Sequence, residues 1–404
     1  MKLTKLPLEY QQALPILKKI EAAGFEAYFV GGSVRDVLLG QPIHDVDIAT
    51  SAFPAEIKEI FPRTIDIGIE HGTVLVLEGD EQYEITTFRT ESTYQDFRRP
   101  DHVEFVRSLE EDLKRRDFTI NAFALKEDGQ IVDLFEGLAD LEQNVLRAVG
   151  NPYERFHEDA LRMMRGLRFV SQLGFDLEQA TFDSIAEHRA LLAKISVERI
   201  NVEFIKLLLG AHRNRGLAMF LATKCYEYCP GLEHAASALQ ALIELSELKI
   251  EQEIHAWVLL AYQLGLQPST VRPFMKQWKC SNEMIKTTQA VLGGLQARQQ
   301  HFYTKQELYE LGLEHARLVE ELLPYVNIET DFEQLTQMYE ALPITSLHEL
   351  AITGHDLLAT IEQKPGKWMK DVLTACEQAV VTGVVENEKA TLLAFSQQKV
   401  QELN

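Results

Sequence analysis

The sequence predicts an α+β N-terminal part, residues 1–150, followed by an all-α remainder. Up to about residue 150, short β-rich runs alternate with helical segments, and beyond it the pattern is helix after helix, punctuated by proline and glycine. The chain has 404 residues, of which 46% are hydrophobic and 25% charged. That composition is typical of a globular protein with a substantial core.

Apolar residues of the N-terminal part recur with two periods, about 3.6 residues in helices and about 2 in strands, and these periods predict its elements. A helix is expected over residues 8–24, LEYQQALPILKKIEAAG. Runs rich in β-branched and aromatic residues predict strands at AYFVGG (27–32), VDIAT (46–50), TVLVLEG (73–79), YEITTFR (83–89), VEFV (103–106), FTINAFAL (118–125) and QIVDLF (130–135). We expect further boundaries near residues 210 and 300, because the helical remainder is too long for one ordinary domain.

Composition also limits the class of protein. No uninterrupted apolar stretch approaches the roughly 20 residues of a membrane helix, and the N-terminus lacks the apolar segment of a secretory signal. The four cysteines, Cys225, Cys229, Cys280 and Cys376, form no CxxC pair. We therefore expect a cytoplasmic protein with reduced thiols and no membrane association.

The formal net charge of −21 argues against nucleic-acid binding when it is considered alone. Basic residues are nevertheless clustered in two stretches, 98–116 and 155–168. Local clusters of this kind can hold phosphates while the acidic remainder suppresses non-specific binding.

The segment GGSVRDVLLGQPIHDVDIAT (31–50) carries the strongest local pattern. A strand runs into Gly31–Gly32, where phosphate can approach the backbone, and Ser33 is predicted to cap a helix that presents Arg35 in its first turn. Asp45 and Asp47 then fall on one face of the next strand. Paired carboxylates suit Mg²⁺, whereas a solvated strand face is the alternative interpretation. Glu84 is the candidate for a third carboxylate, with Glu78 second.

Two further segments add cationic side chains. In LKRRDFTINAFAL (113–125), Arg116 is the preferred phosphate contact, although charges that decorate a helix end would look the same. The stretch RFHEDALRMMRGLRF (155–169) predicts one amphipathic helix with Asp159 and Arg162 as surface neighbours. Cytosine and adenine both present an amine donor beside a ring-nitrogen acceptor on the Watson–Crick edge, and guanine and uracil present the reverse pattern. An Asp acceptor beside an Arg donor therefore complements the first two bases and not the other two. A plain surface salt bridge stays open as the alternative.

Taken together, these residues resemble the class II tRNA nucleotidyltransferases, the CCA-adding enzymes, and their relatives the bacterial poly(A) polymerases. The resemblance rests on GGSVRD, HDVDIAT, RRDFTINA, EDALRMMRGLRF and SVERINVEFIKLLL (196–209), which occur in this order. It implies a polymerase-β-like nucleotidyltransferase head (1–150) and all-α neck (151–210), body (211–300) and tail (301–404) domains.

The same resemblance implies roles for individual residues. Asp45 and Asp47 would hold Mg²⁺, with Glu84 as the third catalytic carboxylate proposed above. The expected nucleotide contacts are Gly32, Arg35, Arg116, Asp159, Arg162, Arg165 and Arg168. The segment 89–103 resembles the family's flexible loop. The implied partners are the 3′ acceptor end of tRNA, with ATP and CTP as substrates, and a homodimer is left open.

Several alternatives stay open at this point. The shared motifs do not separate complete CCA addition from poly(A) addition or from enzymes that add only CC or only A. A non-catalytic RNA-binding protein would have no need for a repulsive carboxylate pair, and a small-molecule nucleotidyltransferase would not need the long helical remainder. His355–Asp356 is a lone dipeptide and does not predict a phosphohydrolase domain.

Overall fold

A computed structural model describes residues 1–91, 103–245 and 249–403 of the chain. Its contacts divide it into two compact units, Met1–Ile243 and Glu244–Asn404. Within the described ranges, no helix combines the length and apolar character needed to cross a membrane.

The strands lie in the first unit. In the described part of the chain they are β1 (Ala27–Val30), β2 (Asp47–Thr50), β3 (Thr64–Gly68), β4 (Thr73–Glu78), β5 (Glu81–Thr87), β6 (Arg89–Glu91), β7 (Val103–Phe105), β8 (Phe123–Leu125), β9 (Ile131–Asp133), β10 (Val145–Leu146) and β11 (Asp176–Leu177). Seven of these form a mixed sheet in the order β3-β4-β5-β2-β1-β8-β9, in which β2 and β5 are parallel. The α+β prediction for the N-terminal part is therefore confirmed.

Helices dominate the rest. Those of the first unit are α1 (Leu8–Ala22), α2 (Gly32–Leu38), α3 (Pro54–Ile60), α4 (Leu109–Lys114), α5 (Gly137–Gln143), α6 (Pro152–Glu158), α7 (Leu161–Leu173), α8 (Gln179–His188), α9 (Val197–Leu208), α10 (Arg213–Ala222) and α11 (Ala236–Glu244). Those of the second unit are α12 (Glu253–Gln263), α13 (Pro268–Gln277), α14 (Asn282–Arg298), α15 (Lys305–Leu322), α16 (Phe332–Glu340), α17 (Gly354–Thr360), α18 (Lys367–Thr382) and α19 (Lys389–Leu403).

The first unit is organised around the mixed sheet. The buried stripe of α1 covers it, and Tyr10 stacks on Phe29 of β1 with ring centroids 4.3 Å apart. Farther along the chain, α7 packs against α9 and α10, and Phe169 of α7 meets Phe118 edge-on at 5.8 Å. This packing fixes the first strands and α7 relative to each other, which is what the candidate site requires.

The second unit has its own cores. Trp257 of α12 and Trp278 are fully buried, and their rings meet edge-on at 5.6 Å. A separate buried cluster near the C-terminus includes Leu357, Val372 and Leu392. In this unit His355 precedes Asp356, whose carboxylate caps the start of α17 and pairs with Lys389. Asp356 therefore has a structural role at the start of α17.

Four local predictions are wrong or incomplete. Ser33 does not cap α2, because its hydroxyl donates to the Val30 carbonyl oxygen at 3.2 Å. Residues 155–169 are not one helix, since α6 ends at Glu158 and α7 begins at Leu161. Within 118–125, a 3₁₀ turn over Thr119–Asn121 precedes β8. The edge strand β3 was not predicted, because it has only five residues and, although Ile65 and Ile67 alternate with polar residues, both isoleucines are exposed instead of facing a core.

Candidate active site

An open cleft of about 1030 Å³ lies in the first unit. Its walls come from the ends of β1, β2 and β5, from α2 and α4, and from α7 and α9. It gathers nearly all of the predicted site residues: Gly32, Arg35, Asp45, Asp47, Arg116, Asp159, Arg162, Arg165 and Arg168. Its described lining has eight arginines against five aspartates, so the cleft is locally basic in an acidic chain and suits a polyanionic ligand.

At one end of the cleft, β1 turns sharply into α2. Gly31 sits at φ 75° and ψ −140°, a conformation that non-glycine residues rarely adopt. A Cβ atom at Gly31 would lie 3.2 Å from Nη1 of Arg116 and 3.8 Å from Oδ2 of Asp47. The absence of a side chain at Gly31 therefore keeps the backbone close to both a cation and a carboxylate.

The two predicted carboxylates both line this end. Asp47 is the first residue of β2, whereas Asp45 lies in the segment before the strand, so only one of them is a strand residue as predicted. Asp47 is accessible from the open cleft, yet the protein atoms around it desolvate its carboxylate. This burial raises the pKa of Asp47, Asp45 raises it further, and Arg116 opposes the shift. A carboxylate pair of this kind favours a bound cation.

Glu84 lies on β5 directly beside Asp47 in the parallel register. Paired residues on neighbouring strands project to the same face of a sheet. Glu84 is exposed, however, and is not among the residues that line the cleft. Glu78, the second choice, pairs with Lys19. Among the described residues, no group of three metal-ligating side chains is assembled.

A buried aspartate that the sequence reasoning missed holds Arg116 in place. Asp112 is 1% exposed, and its carboxylate pairs with Arg115 at 2.8 Å and with Arg116 at 3.2 Å. Burial raises the pKa of Asp112, but the two guanidinium groups outweigh it and the net shift is downward. The spacing of three and four residues within one helical turn was the available signal for this cluster.

Asn121 joins Arg116 to Arg35 across the cleft floor. Its side-chain oxygen accepts a hydrogen bond from Nη1 of Arg35 at 2.6 Å, and its backbone oxygen accepts one from Arg116 at 3.3 Å. Asn121 in turn donates to Asp117 at 3.1 Å. Asp117 and Asn121 thus organise this turn through hydrogen bonds.

Asp117 also anchors the helix on the far side. Arg165 of α7 pairs with it at 2.6 Å, and the Phe118 N–H donates to it at 2.8 Å. Burial alone would raise the pKa of Asp117, but Arg165 and the hydrogen bond from Asn121 lower it to about 2. Arg168 lies over the Phe169 ring at 4.2 Å and pairs with the buried Glu203 at 3.2 Å.

The break between α6 and α7 sets the direction of Asp159. This residue adopts φ −134° and ψ 102°, outside the helical region. Its Oδ1 accepts a hydrogen bond from the Leu161 N–H at 3.0 Å, and its Oδ2 pairs with Arg199 of α9 at 2.9 Å. Asp159 was predicted to lie within a continuous helix. Its pairing with Arg199 was not predicted, because Arg199 is distant in the chain.

Arg162 makes a different set of contacts. It is 7% exposed. One amino group donates to Glu158 at 2.6 Å and to the Arg155 carbonyl oxygen at 3.1 Å. The other donates to the Arg115 carbonyl oxygen at 2.7 Å. Arg162 thus joins α7 to the ends of α4 and α6 while lining the cleft.

The predicted flexible loop falls largely outside the described residues, which omit 92–102. Its two described ends, β6 and β7, pair as antiparallel strands. All four cysteines are buried, and no disulfide is formed among the described residues.

Family profiles match three parts of the chain. Residues 27–147 match a poly A polymerase head domain, residues 174–245 a probable RNA and SrmB-binding site of polymerase A, and residues 248–396 a putative tRNA nucleotidyltransferase domain 2.

Whole-chain comparisons give a more specific family. The chain is 57% identical to the CCA-adding enzyme of Enterococcus faecalis, over 99% of this chain and 98% of that protein. It is 51% identical to the CCA-adding enzyme of Streptococcus mutans, over 99% of this chain and 100% of the relative. Among solved structures, the Bacillus stearothermophilus CCA-adding enzyme in complex with CTP matches with a TM-score of 0.89 and 41% identity, covering 98% of this chain and 99% of that one.

Proposed function

The chain belongs to the CCA-adding enzymes, and from this membership we propose that it adds the 3′-terminal CCA of tRNA from CTP and ATP without a nucleic-acid template. The observation that carries the proposal is the cleft itself, where Asp45 and Asp47 face a wall of arginines. A protein that only bound RNA would gain nothing from a carboxylate pair that repels phosphate. The same cleft also serves repair of a partly lost CCA end, because the reaction is the same.

The metal assigned to this site is Mg²⁺. Asp45 and Asp47 supply hard oxygen ligands, and Mg²⁺ binds through one or two carboxylates together with substrate phosphates. The raised pKa of Asp47, which is due first to burial and then to Asp45, fits this assignment, since a bound cation would offset both effects. When bound, such an ion stabilises the charge that develops on the reacting phosphate. Glu84, adjacent to Asp47 in the sheet, is proposed as the third carboxylate.

The remaining residues of this end bind and orient the triphosphate. The backbone at Gly32 can approach a phosphate closely, and Arg35 and Arg116 supply charge-assisted hydrogen bonds. Both arginines are held in place through Asn121, so the cost of ordering them is already met on folding. The RNA 3′-hydroxyl oxygen forms a bond to the α-phosphorus, the bond to the bridging oxygen breaks, and pyrophosphate leaves.

Asp159 and Arg162 are proposed to select the base. Both line the cleft, Asp159 as a hydrogen-bond acceptor and Arg162 as a donor, which is the pattern that cytosine and adenine complement. Arg165 and Arg168 support the nucleotide from the same helix. Selection by protein side chains explains how two nucleotides are chosen without a template.

The four-part division and the location are also proposals. Residues 1–150 are assigned as the catalytic head, 151–210 as the neck that reads the base, 211–300 as the body, and 301–404 as the tail that binds tRNA. The absence of a disulfide among the described cysteines supports a cytoplasmic location, where the tRNA substrate is processed.

The metal and carboxylate assignment is tested with Asp45→Asn and Asp47→Asn in extension assays on tRNA that lacks its terminal CCA. Each change is expected to abolish extension in Mg²⁺, and a chelator is expected to do the same to the wild type. Asp176→Asn is the matched control, because Asp176 pairs with Arg215 at the surface and does not line the cleft. Undiminished extension by Asp45→Asn would remove the carboxylate pair from the mechanism.

A further inference from the structure

The carboxylate of Asp159 is held at both oxygens. The Leu161 N–H fixes Oδ1 at 3.0 Å, and Nη2 of Arg199 fixes Oδ2 at 2.9 Å. We propose that Arg199 is a positioning residue for nucleotide selection, which acts by orienting Asp159 toward the base of the incoming nucleotide. The inference rests on the proposed function and deepens it.

The place of Arg199 in its helix is not explained by helix stability. It is the third residue of α9, which starts at Val197. A cation in the first turn of a helix opposes the helix dipole, so an arginine there is unfavourable by itself. The pairing with Asp159 supplies the compensating interaction, across 40 positions of sequence.

The hydrogen bonding of the guanidinium group supports the same conclusion. Nη2 bonds to Asp159, whereas Nη1 is inaccessible to solvent and has no hydrogen-bond partner among the described residues. A buried donor without a partner is costly and rare, and such groups call for an explanation. Arg199 lines the cleft next to Asp159, so we infer that its position is maintained for the sake of that carboxylate.

Anchoring both oxygens has a direct consequence for base reading. The terminal torsion of an aspartate is broad and roughly two-fold, so one hydrogen bond to Oδ1 leaves the other oxygen poorly fixed. Arg199 removes this freedom and leaves the remaining lone pairs of Asp159 to accept from an exocyclic amine. Arg162 is held separately, by Glu158 at 2.6 Å and by two backbone oxygens.

The test uses the full-length chain with Arg199→Met, which keeps the aliphatic stem and removes the donors. The quantity measured is kcat/KM for CTP, ATP, UTP and GTP on tRNA lacking its CCA end. The preference for CTP over UTP is expected to fall about tenfold or more, the size of one lost charge-assisted hydrogen bond. Arg215→Met, which breaks the exposed pair with Asp176 outside the cleft, is expected to leave the preference unchanged.

A double mutant separates positioning from general damage. In an Asp159→Asn background, Arg199→Met is expected to cause no further loss of preference, because the two residues act as a unit. An equal loss of kcat/KM for all four nucleotides would overturn the inference, as would additive effects in the double mutant. If Arg199→Met does not fold, Arg199→Gln carries the same test, since it also removes the charge.

The failure of the inference is distinguishable from that of the proposed function. A wild-type protein that shows no preference for CTP and ATP would contradict the function itself. A wild type that prefers them, together with an Arg199→Met variant that retains the full preference, would contradict only the role assigned to Arg199.

Discussion

The substitution Asp117→Asn tests how the cleft is held together. Asp117 is almost fully buried and accepts hydrogen bonds from Arg165 at 2.7 Å, from the Phe118 N–H at 2.8 Å and from Asn121 at 3.1 Å. An asparagine of the same shape removes the negative charge that pairs with Arg165. The change should therefore destabilise the first unit and loosen the contact between Asn121 and Nη1 of Arg35, whose other nitrogens are held by Asp36.

The size of the effect follows from the pKa of Asp117. The difference between about 2 and the ordinary 3.8 corresponds to about 2.5 kcal/mol of stability, because one pKa unit is worth about 1.4 kcal/mol. Breaking a fully buried pair costs about 3–5 kcal/mol. The Arg165 side chain is 34% exposed and keeps Glu203 at 4.0 Å, so we expect a smaller loss than for a fully buried pair, about 2–3 kcal/mol.

The pairing of Asp117 with Arg165 also predicts how the free energy of unfolding depends on pH. The pKa of Asp117 is lowered by folding, so its contribution is complete above the unfolded pKa of about 3.9 and is lost as pH falls toward about 2. Wild-type stability should therefore decline below about pH 5 more steeply than that of Asp117→Asn. Denaturant unfolding at pH 7 and at about pH 3, which lies between the unfolded and folded pKa values of Asp117, measures both effects, with hydrogen exchange of α7 amides as the local readout. A stability loss at pH 7 no larger than that of the surface control Asp176→Asn would show that the buried pair of Asp117 and Arg165 does not hold the cleft together.

Three further substitutions test separate parts of the site. Gly31→Ala is expected to lower the free energy of unfolding by about 1–3 kcal/mol, because alanine is strained in this backbone conformation. It should also raise KM for CTP and ATP alike, because the new methyl group displaces Arg116. An unchanged melting temperature and KM would contradict this. Glu84→Gln is expected to lower kcat at least about tenfold with little change in nucleotide affinity, and an unchanged kcat would remove Glu84 from the carboxylate set. Asp159→Ala should relax the preference for CTP and ATP over UTP and GTP by more than it slows CTP addition, whereas equal losses for all four nucleotides would make Asp159 merely structural.

Much of the site could be predicted because its parts are local in sequence. The strand that leads into Gly31–Gly32 and the position of Asp47 on the next strand both follow from short-range periodicity. Glu84 was placed on a strand, and that strand does bring it beside Asp47. That Glu84 does not line the cleft could not be predicted, because period-2 alternation fixes the face of a strand but not how far the cleft extends across the sheet.

The parts that could not be predicted depend on backbone breaks and long-range pairs. The apolar spacing of α6 and α7 continues through Asp159, so periodicity alone gave one helix instead of two. The partner of Asp159 is Arg199 on another helix, and the partner of Arg168 is Glu203. Pairs of this kind arise only when α7 packs on α9, which a single sequence does not specify.

The central claim is tested most directly by sequencing the products of one extension reaction. Purified protein, Mg²⁺ and all four nucleoside triphosphates are incubated with tRNA transcripts that lack the terminal CCA. We expect products that end in CCA and grow no further. A long run of A would identify a poly(A) polymerase, products ending in CC or in a single A would identify a partial activity, and no extension of any transcript would contradict the catalytic role of the cleft.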